Sequence, residues 1–245
     1  MELWEVLIVA GTAGAGAVIT AVAGLGGGIL MLAVLLQFLD PAIAIPVHAV
    51  IQLASNGSRA ALLRQHIDWP IVARFVVLLL PAGFLGLWAA NSIPSAVGRA
   101  AIGVFALVAV WRPTALASTS RLLGSSDRSF TTLGAISGFL SIPLGATGPM
   151  VAPYFRQRLP VRTAMVATFA ATQVAGHVSK TVVFGTDGFA FSDYYPVMVT
   201  GIAAVTIGSW IGTKLLGRVS EERFQLIFRI TITLIALRLI VQAAA

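Results

Sequence analysis

Apolar residues run along the chain in long blocks that contain almost no charge. The clearest blocks cover residues 75–90, 100–111, 202–211 and 226–245. A helix needs about 20 mostly apolar residues to cross the hydrocarbon core, and several blocks reach that length with their flanks. These blocks lack the apolar–polar alternation that is typical of membrane β-barrels. We therefore predict an all-α, polytopic helical membrane protein.

The composition supports a chain that lies in lipid. Of the 245 residues, 58% are hydrophobic and 10% are charged, whereas soluble domains carry about 25% charged residues. The Arg and Lys residues behind the net charge of +7 lie mostly at segment ends, where membrane proteins place them for topology. We therefore expect the lipid bilayer as a partner, and no nucleic acid. With no cysteine in the sequence, disulfides and thiolate metal sites are excluded.

The chain contains an internal repeat. Residues 51–59 align without a gap with residues 172–180, and Gln, Ala, Ser and a basic residue match. Upstream, residues 26–28 lie near residues 146–148 after a one-residue slip. Repeats of this kind determine the architecture. We predict a first transmembrane repeat over residues 1–112, a cytoplasmic linker over 113–128 and a second, inverted transmembrane repeat over 129–245.

Each repeat is predicted to hold five segments. They cover residues 3–22, 28–39, 42–64, 69–91 and 95–112 in the first repeat, and 129–142, 147–157, 161–184, 194–215 and 222–243 in the second. The second segments are short, because about 12 residues extend only about 18 Å against a hydrocarbon core of about 30 Å. Segments one and two of each repeat therefore span the bilayer in full or form a re-entrant, Gly-broken hairpin, and both alternatives stay open.

The basic residues predict the orientation of the chain. They cluster in the turn at residues 64–66, in the linker, at 156–162 and at 214–223. The turns around Asp40, around Asn91 and at residues 185–193 contain no Lys or Arg. By the positive-inside rule the first group of turns is cytoplasmic and the second is external. The second repeat is then inverted relative to the first, with both termini outside a bacterial inner membrane.

Two glycine-rich interruptions, at residues 24–28 and 144–149, are the first candidates for a binding site. They contain the candidate residues Gly26, Gly27, Gly28, Thr147 and Gly148. A helix that begins after such a turn presents unpaired N–H groups and the positive end of its dipole, which suits an anion. Inverted-repeat transporters bind substrates near the midplane at such interruptions. The alternative is that these glycines only allow tight helix packing.

Polar residues form a stripe along the third segment of each repeat. The two stripes are Gln52, Ser55, Asn56 and Arg59, and Gln173, Gly176, His177 and Lys180. Their i, i+3, i+4, i+7 spacing places each stripe on one helical face, and polar groups in a membrane usually face the bundle interior or water. Arg59 alternatively snorkels to the cytoplasmic end of its helix. Lys180 lies near the outer end, where topology gives no reason for a cation, so it is the stronger candidate for attracting an anion.

We expect different roles for the three histidines. His66 lies in a turn, and His48, early in the third segment, has the weaker case for lining a pathway. His177 lies on the polar stripe and is a candidate for anion contact or proton coupling. Three scattered histidines without cysteine do not have the spacing of a metal or haem site, so we expect no metal and no cofactor. None of the nine acidic residues lies convincingly mid-membrane, which argues against a cation pump.

These motifs resemble a known family. The Gly-Leu-Gly-Gly-Gly run at residues 24–28, Ser55-Asn56 and the degenerate second copy at residues 173–180 are similar to the sulfite exporter TauE/SafE family, also called the toluene-sulfonate uptake permease group. The resemblance covers nearly the whole chain, including its length and duplication. It implies transport of sulfite, sulfonates or related organosulfur anions. It also implicates Gly26, Gly27, Gly28, Ser55, Asn56, Thr147, Gly148 and His177.

Three hypotheses for the function follow. The first is a secondary transporter of a small sulfur-containing anion with alternating access at the repeat interface; no Walker motif indicates ATP use, and coupling to protons or to the membrane potential is left open. The second is a passive anion channel on the same scaffold. The third, an intramembrane hydrolase, depends on a loose G-x-S-G-like match at residues 134–138, so we expect no enzyme. The exact substrate, the direction of transport and the oligomeric state are left open.

Overall fold

The computed structural model describes residues 2–23, 26–113, 115–116, 128–215 and 221–244. Helix accounts for 87% of the structure and the described ranges contain no strand, which confirms the all-α prediction. The helices are α1 (Leu3–Ala23), α2 (Gly27–Leu35), α3 (Pro41–Leu62), α4 (Trp69–Val76), α5 (Leu79–Asn91), α6 (Ser95–Trp111), α7 (Ser129–Leu144), α8 (Gly148–Arg158), α9 (Arg162–Thr186), α10 (Tyr195–Leu215) and α11 (Glu221–Ala244), with 3-10 turns at Arg64–His66 and Phe191–Tyr194. Most of the predicted linker, residues 113–128, lies outside the described residues.

One predicted segment is divided in the structure. Residues 69–91 were expected as one helix, but α4 ends at Val76 and α5 begins at Leu79. Pro81 explains the division, because proline has no N–H for the carbonyl four residues earlier and its ring clashes with that carbonyl. Here that carbonyl belongs to Val77, at the break. The other nine predicted segments each correspond to one helix.

The helices pack in reciprocal pairs. Helix α1 packs along α10, and α4 and α5 pack along α7. In terms of the predicted segments, the first of each half therefore packs on the fourth of the other half. Helix α3 packs on α9 and α6 packs on α11, so the third and fifth segments pack on their own counterparts. This arrangement brings α3 and α9 together between the other helices.

Glycines allow close helix contact in two of these pairs, α1 with α10 and α4/α5 with α7. A side chain at Gly208 of α10 would meet the carbonyl oxygen of Gly14 in α1. Side chains at Gly134 and Gly138 of α7 would meet the carbonyl oxygens of Phe75 and Leu79. Small residues of this kind let helix backbones approach each other in membranes, where packing replaces the hydrophobic effect as the force between helices.

Three helical stretches are long and apolar enough to cross a membrane: Leu3–Thr20, Trp69–Asn91 and Phe191–Gly212. Shorter apolar helices cover Ser95–Trp111 and Ser129–Leu144. Helices α2 and α8 have 9 and 11 residues, which extend about 14 and 17 Å, about half of the hydrocarbon core. Eight of the nine α2 residues are buried, so this short helix is enclosed by protein.

The turn between α2 and α3 is fixed by one arginine. Arg99 of α6 donates hydrogen bonds to the carbonyl oxygen of Leu36, at 2.5 Å, and to Oδ1 of Asp40, at 2.6 Å. Ser95 donates a third bond to the same carboxylate oxygen at 3.1 Å. The hydrogen bond from Arg99 lowers the pKa of Asp40 below its usual range, against the smaller opposing effect of partial burial. The end of α2 is thereby attached to α6.

Replacement of Gly208 by alanine tests the close packing of α1 on α10. The new methyl group meets the carbonyl of Gly14, so the helices must separate, and we expect a loss of about 1–3 kcal/mol in the free energy of unfolding. Gly11→Ala on α1 is the matched control, because nothing lies within 4 Å of its added carbon. Alanine there should be neutral or stabilising by up to about 1 kcal/mol. Thermal unfolding of both variants in detergent gives the comparison, and equal melting temperatures would contradict the packing.

Candidate functional site

A polar cavity lies where the first turns of α2 and α8 face the middle of α3 and α9. Its volume is about 70 Å³, whereas one water molecule needs about 10–15 Å³ by the same measure. It therefore has room for a small ion of a few heavy atoms. Its lining residues are Thr20, Gly26, Gly28, Ile29, His48, Gln52, Asn56, Arg59, Ser137, Ser141, Gly145, Ala146, Thr147, Gly148, Pro149, Phe169, Gln173, Gly176, His177 and Lys180.

The lining residues of α3 and α9 correspond to each other in the sequence repeat. Four positions of the repeat contribute a lining residue from both helices. These pairs are His48 with Phe169, Gln52 with Gln173, Asn56 with His177, and Arg59 with Lys180. Successive positions are three or four residues apart, so each set follows one face of its helix. The two faces meet across the cavity because α3 packs on α9.

Both short helices begin at the cavity. Gly26 precedes α2 and Thr147 precedes α8, and neither helix start has a side-chain cap. The first N–H groups of a helix have no partner four residues earlier. At the start of α2, Ile29 donates to the Gly26 carbonyl, and at the start of α8, Met150 donates to the Thr147 carbonyl. One backbone N–H at each start, that of Gly28 and that of Gly148, therefore borders the cavity as a donor. The glutamines of the neighbouring helices lie beside them: Oε1 of Gln52 is 3.5 Å from the place of an added Gly28 Cβ, and Oε1 of Gln173 is 3.8 Å from that of Gly148.

The cavity has two cationic residues and no acidic residue among the described ones that line it. Lys180 is only 3% exposed, and its ammonium donates to the carbonyl oxygen of Gly145 at 2.6 Å. Arg59 is partly exposed and donates to Oδ1 of Asn56 at 3.2 Å. A buried cation beside neutral partners alone keeps much of its electrostatic cost. The cavity therefore favours a negatively charged ligand.

Two histidines add polar atoms at the buried end. Nε2 of His48 lies 2.8 Å from the carbonyl oxygen of Gly28, and because a carbonyl only accepts, this nitrogen is the donor. The rings of His48 and His177 lie 5.9 Å apart. Nδ1 of each ring is buried without a hydrogen-bond partner among the described residues. Buried polar atoms of this kind usually have partners in folded proteins.

Ten of the twelve residues predicted from the sequence line the cavity. Gly27 does not: its N–H donates to Oγ1 of Thr20 at 3.0 Å, and its Cα packs on Gly16 of α1. Ser55 is buried but lies outside the lining. The glycines at the interruptions therefore have two roles, since Gly27 permits close packing while Gly28 and Gly148 border the cavity.

The other ten lining residues were not among the twelve predicted; they are Thr20, Ile29, His48, Ser137, Ser141, Gly145, Ala146, Pro149, Phe169 and Gly176. Extending each polar stripe by one helical turn toward the N-terminus of its helix would have included His48 and Phe169. Gly145 lies in the glycine-rich interruption at residues 144–149, which was a candidate region, whereas nothing in the sequence indicated that Ser141 would join the lining. Ser137 lies in the G-x-S-G-like stretch, but its hydroxyl is 2.8 Å from the hydroxyl of Thr147 rather than bonded to a base, which gives the hydrolase hypothesis no support.

The chain is similar in sequence to known proteins. The family described as "Sulfite exporter TauE/SafE" matches residues 7–239. A protein of Cupriavidus necator, strain H16, named "Probable sulfite/organosulfonate exporter TauE", is 29% identical over 173 residues, which are 65% of this chain and 65% of the relative. The chain thus spans about two thirds of the relative's length. No solved structure matches the chain.

Gly145 gives a test of the site's architecture. Its φ of +73° is strained for other residues, at a cost of about 1–3 kcal/mol, and an added Cβ would meet Leu32 and Ile45. We therefore expect Gly145→Ala to lower the melting temperature of the purified protein clearly. Gly176→Ala is the control, because it lines the same cavity with nothing within 4 Å of its added carbon. If Gly176→Ala were the more damaging variant, this description of the cavity wall would be wrong.

Proposed function

Because the chain belongs to the sulfite exporter TauE/SafE family, we propose that it is a secondary transporter of a small sulfur-containing oxyanion, with sulfite as the first candidate. The family is one of membrane transporters and not of enzymes, as the sequence predicted. The similar protein of Cupriavidus necator is named an exporter of sulfite or organosulfonate. We place this chain in a bacterial inner membrane.

The cavity is the observation that supports this proposal most. It combines two uncapped helix starts with Arg59 and Lys180, and the described lining contains no carboxylate. Helix starts bind anions through their N–H groups and dipoles, and cations add charge-assisted hydrogen bonds. In a membrane interior, where water is scarce, such groups replace the hydration shell of the ion.

The arrangement of donors favours an oxyanion over a halide. An oxyanion has several acceptor oxygens that point in different directions, and the cavity presents donors from different helices. The amides of Gln52 and Gln173 lie beside opposite helix starts, while Asn56, His177 and Lys180 line the wall between them. Several donors placed in this way match an ion with several oxygens in more than one orientation.

The reciprocal packing supports two inverted repeats, residues 1–112 and 129–245, around the cavity. A two-fold axis in the membrane plane relates halves of opposite orientation in inverted-repeat transporters. Such an axis exchanges the α1–α10 pair with the α4/α5–α7 pair and maps α3 onto α9 and α6 onto α11. These are the main contacts of the bundle. We propose that one half moves against the other and exposes the site alternately to the two sides.

The accessibility of the cavity favours a transporter over an open channel. At one end His48 and Lys180 are 1% and 3% exposed, while at the other Arg59, Gln173 and Gly176 are partly exposed. A cavity that is closed at one end and reachable from the other represents one state of an alternating-access cycle. With Arg59 near the cytoplasmic end of α3, this state faces the cytoplasm. Proton coupling through His177 is compatible with its place on the wall.

Tryptophans support the proposed positions of the two membrane–water interfaces. Tryptophan is enriched at membrane–water interfaces, and all five lie near helix ends. Trp4 and Trp88 are 55% and 75% exposed near the side that we assign as external. On the side assigned as cytoplasmic, Trp69, Trp111 and Trp210 are 60%, 52% and 61% exposed. The linker is cytoplasmic and both termini are external in this orientation.

Lys180→Gln tests the anion site. Loss of a charge-assisted hydrogen bond of about 1.5–3 kcal/mol should weaken sulfite binding by about ten- to a hundredfold. We expect sulfite, with chloride as the reference salt, to raise the melting temperature of the wild type and to raise that of the variant much less. Without ligand the variant should be at least as stable, because it no longer holds a buried cation.

Arg162→Gln is the control for this experiment, because Arg162 is an exposed cation at the start of the same helix. It should leave both the melting temperature and the effect of sulfite unchanged. Proteoliposome flux of sulfite should follow the same order. Normal sulfite binding and flux in Lys180→Gln would remove this residue from the mechanism.

The proposed orientation is testable because the chain has no cysteine. Single cysteines in place of Glu2, His66, Arg162 and Asp187 occupy exposed positions near helix ends. We expect a membrane-impermeant maleimide added to intact spheroplasts to label the variants at 2 and 187, and those at 66 and 162 only after lysis. Labelling of position 66 before lysis would show that the orientation is the reverse of the proposed one. Labelling of positions 66 and 187 from the same side of the membrane would refute the inverted repeat.

A further inference from the structure

A second cavity lies next to the polar one and has the opposite character. It is a groove of about 600 Å³ between the start of α3, the end of α5, the start of α6 and the end of α7. Its wall is mostly apolar, with residues such as Ile45, Leu87, Phe139 and Phe184. The polar residues Asp40, Asn91 and Ser95 lie on its lining near the helix ends.

The groove begins one helical turn or less from the polar cavity on three helices. On α3, Ile45 lines the groove and His48 lines the polar cavity. On α9, Phe184 lines the groove and Lys180 lines the polar cavity. Residues three or four apart on a helix are neighbours on one face, so the two spaces follow each other along the same faces.

On the third helix, α7, adjacent residues line the two spaces. At the end of α7, Leu144 lines the groove and the next residue, Gly145, lines the polar cavity. Gly145 has no side chain, and Ile45 Cγ1 lies 3.1 Å from the place where its Cβ would be. Ile45 therefore packs directly on the backbone that borders the polar cavity. We call Ile45, Leu144 and Phe184 the partition.

One hydrogen bond and apolar packing stabilise the position of the partition. Lys180 donates to the Gly145 carbonyl at 2.6 Å, which fixes the end of α7 against α9. Ile45 is 2% exposed and Phe184 7%, and both belong to one hydrophobic cluster with Leu32 and Ile142. The polar cavity ends at this layer.

Size and charge then distinguish two classes of anion. The 70 Å³ cavity suits sulfite, a sulfur with three oxygens, but it is too small to enclose the ring of an aryl sulfonate, which would have to stay at the partly exposed end near Arg59. The groove would suit that ring, but it lies behind the partition. It does not suit a free small oxyanion, because its wall is apolar and Asp40 is the charged residue that lines it.

We propose that the partition of Ile45, Leu144 and Phe184 determines substrate specificity: it restricts the site to small inorganic oxyanions by separating the polar cavity from an adjoining apolar groove. This inference rests on the proposed anion transport at the same cavity. Removal of the Ile45 side chain joins the two spaces. A sulfonate can then place its head beside Lys180 and its apolar group in the groove.

The test is binding of sulfite and of toluenesulfonate to purified wild type and Ile45→Ala, by thermal shift and calorimetry with chloride as the reference. The wild type should bind sulfite and bind toluenesulfonate far more weakly. In Ile45→Ala, toluenesulfonate should bind about tenfold tighter or more, which corresponds to the burial of about two methylene groups. The affinity for sulfite should change little, because Ile45 does not line the polar cavity.

Ile51→Ala is the matched control. Ile51 lies on the same helix, is fully buried and packs on Gly201 of α10, but it lines neither cavity. It should lose similar stability without gaining affinity for toluenesulfonate. Phe184→Ala removes another member of the partition and is the second variant if Ile45→Ala does not fold.

The outcomes separate this inference from the proposed function. Sulfite binding by the wild type with no gain of toluenesulfonate affinity in either partition variant would overturn the partition and leave the transporter proposal intact. Equal affinity of the wild type for sulfite and toluenesulfonate would also overturn the proposed role of the partition. Failure of the wild type to bind any sulfur oxyanion would instead refute the proposed function of the cavity.

Discussion

Helix α2 and helix α8 begin inside the protein rather than at the bilayer surface, and this places unpaired N–H groups where water is scarce. Each such group costs free energy in an apolar environment unless it finds a partner. The protein meets this constraint only in part with its own atoms: Thr20 accepts from Gly27, while neither helix has a side-chain cap. Gly28 and Gly148, whose N–H groups remain, both line the polar cavity, so each break in a helix contributes a backbone donor to the polar space.

The surrounding bundle can be understood from that constraint. A short helix with a polar start needs protein around that start, and α2 packs against α1, α3, α6 and α11 while α8 packs against α9. Close enclosure requires small residues at the contacts, which Gly14, Gly134, Gly138 and Gly208 provide. Close backbone contacts at glycine give packing energy in lipid, and they bring the helices around α3 and α9 close together.

The sequence predicted the helices well because lipid makes the pattern simple. Apolar blocks and terminal prolines located every segment to within a few residues, except for the break before Pro81. The polar stripes also predicted which faces of α3 and α9 would line a cavity, because a polar face must turn inward. The contribution of Ser141 was not predictable, since a serine in an apolar segment is unremarkable in sequence and this one reaches the cavity only through the packing of α7. Ser55 shows the limit of spacing arguments, because it shares the stripe but not the lining.

The two copies of the sequence repeat differ at residues that line the cavity. Where the first half has Asn56 and Arg59, the second has His177 and Lys180. The arginine is partly exposed and bonded to a neighbouring amide, whereas the lysine is buried and bonded to the backbone at the end of α7. A guanidinium keeps its charge almost regardless of its surroundings, but an ammonium responds to burial and to a nearby anion. An arriving anion would stabilise Lys180 and compete with Gly145 for its hydrogen bonds. Lys180, whose burial is electrostatically costly without an anion nearby, would then also link anion binding to the Gly145 end of the cavity.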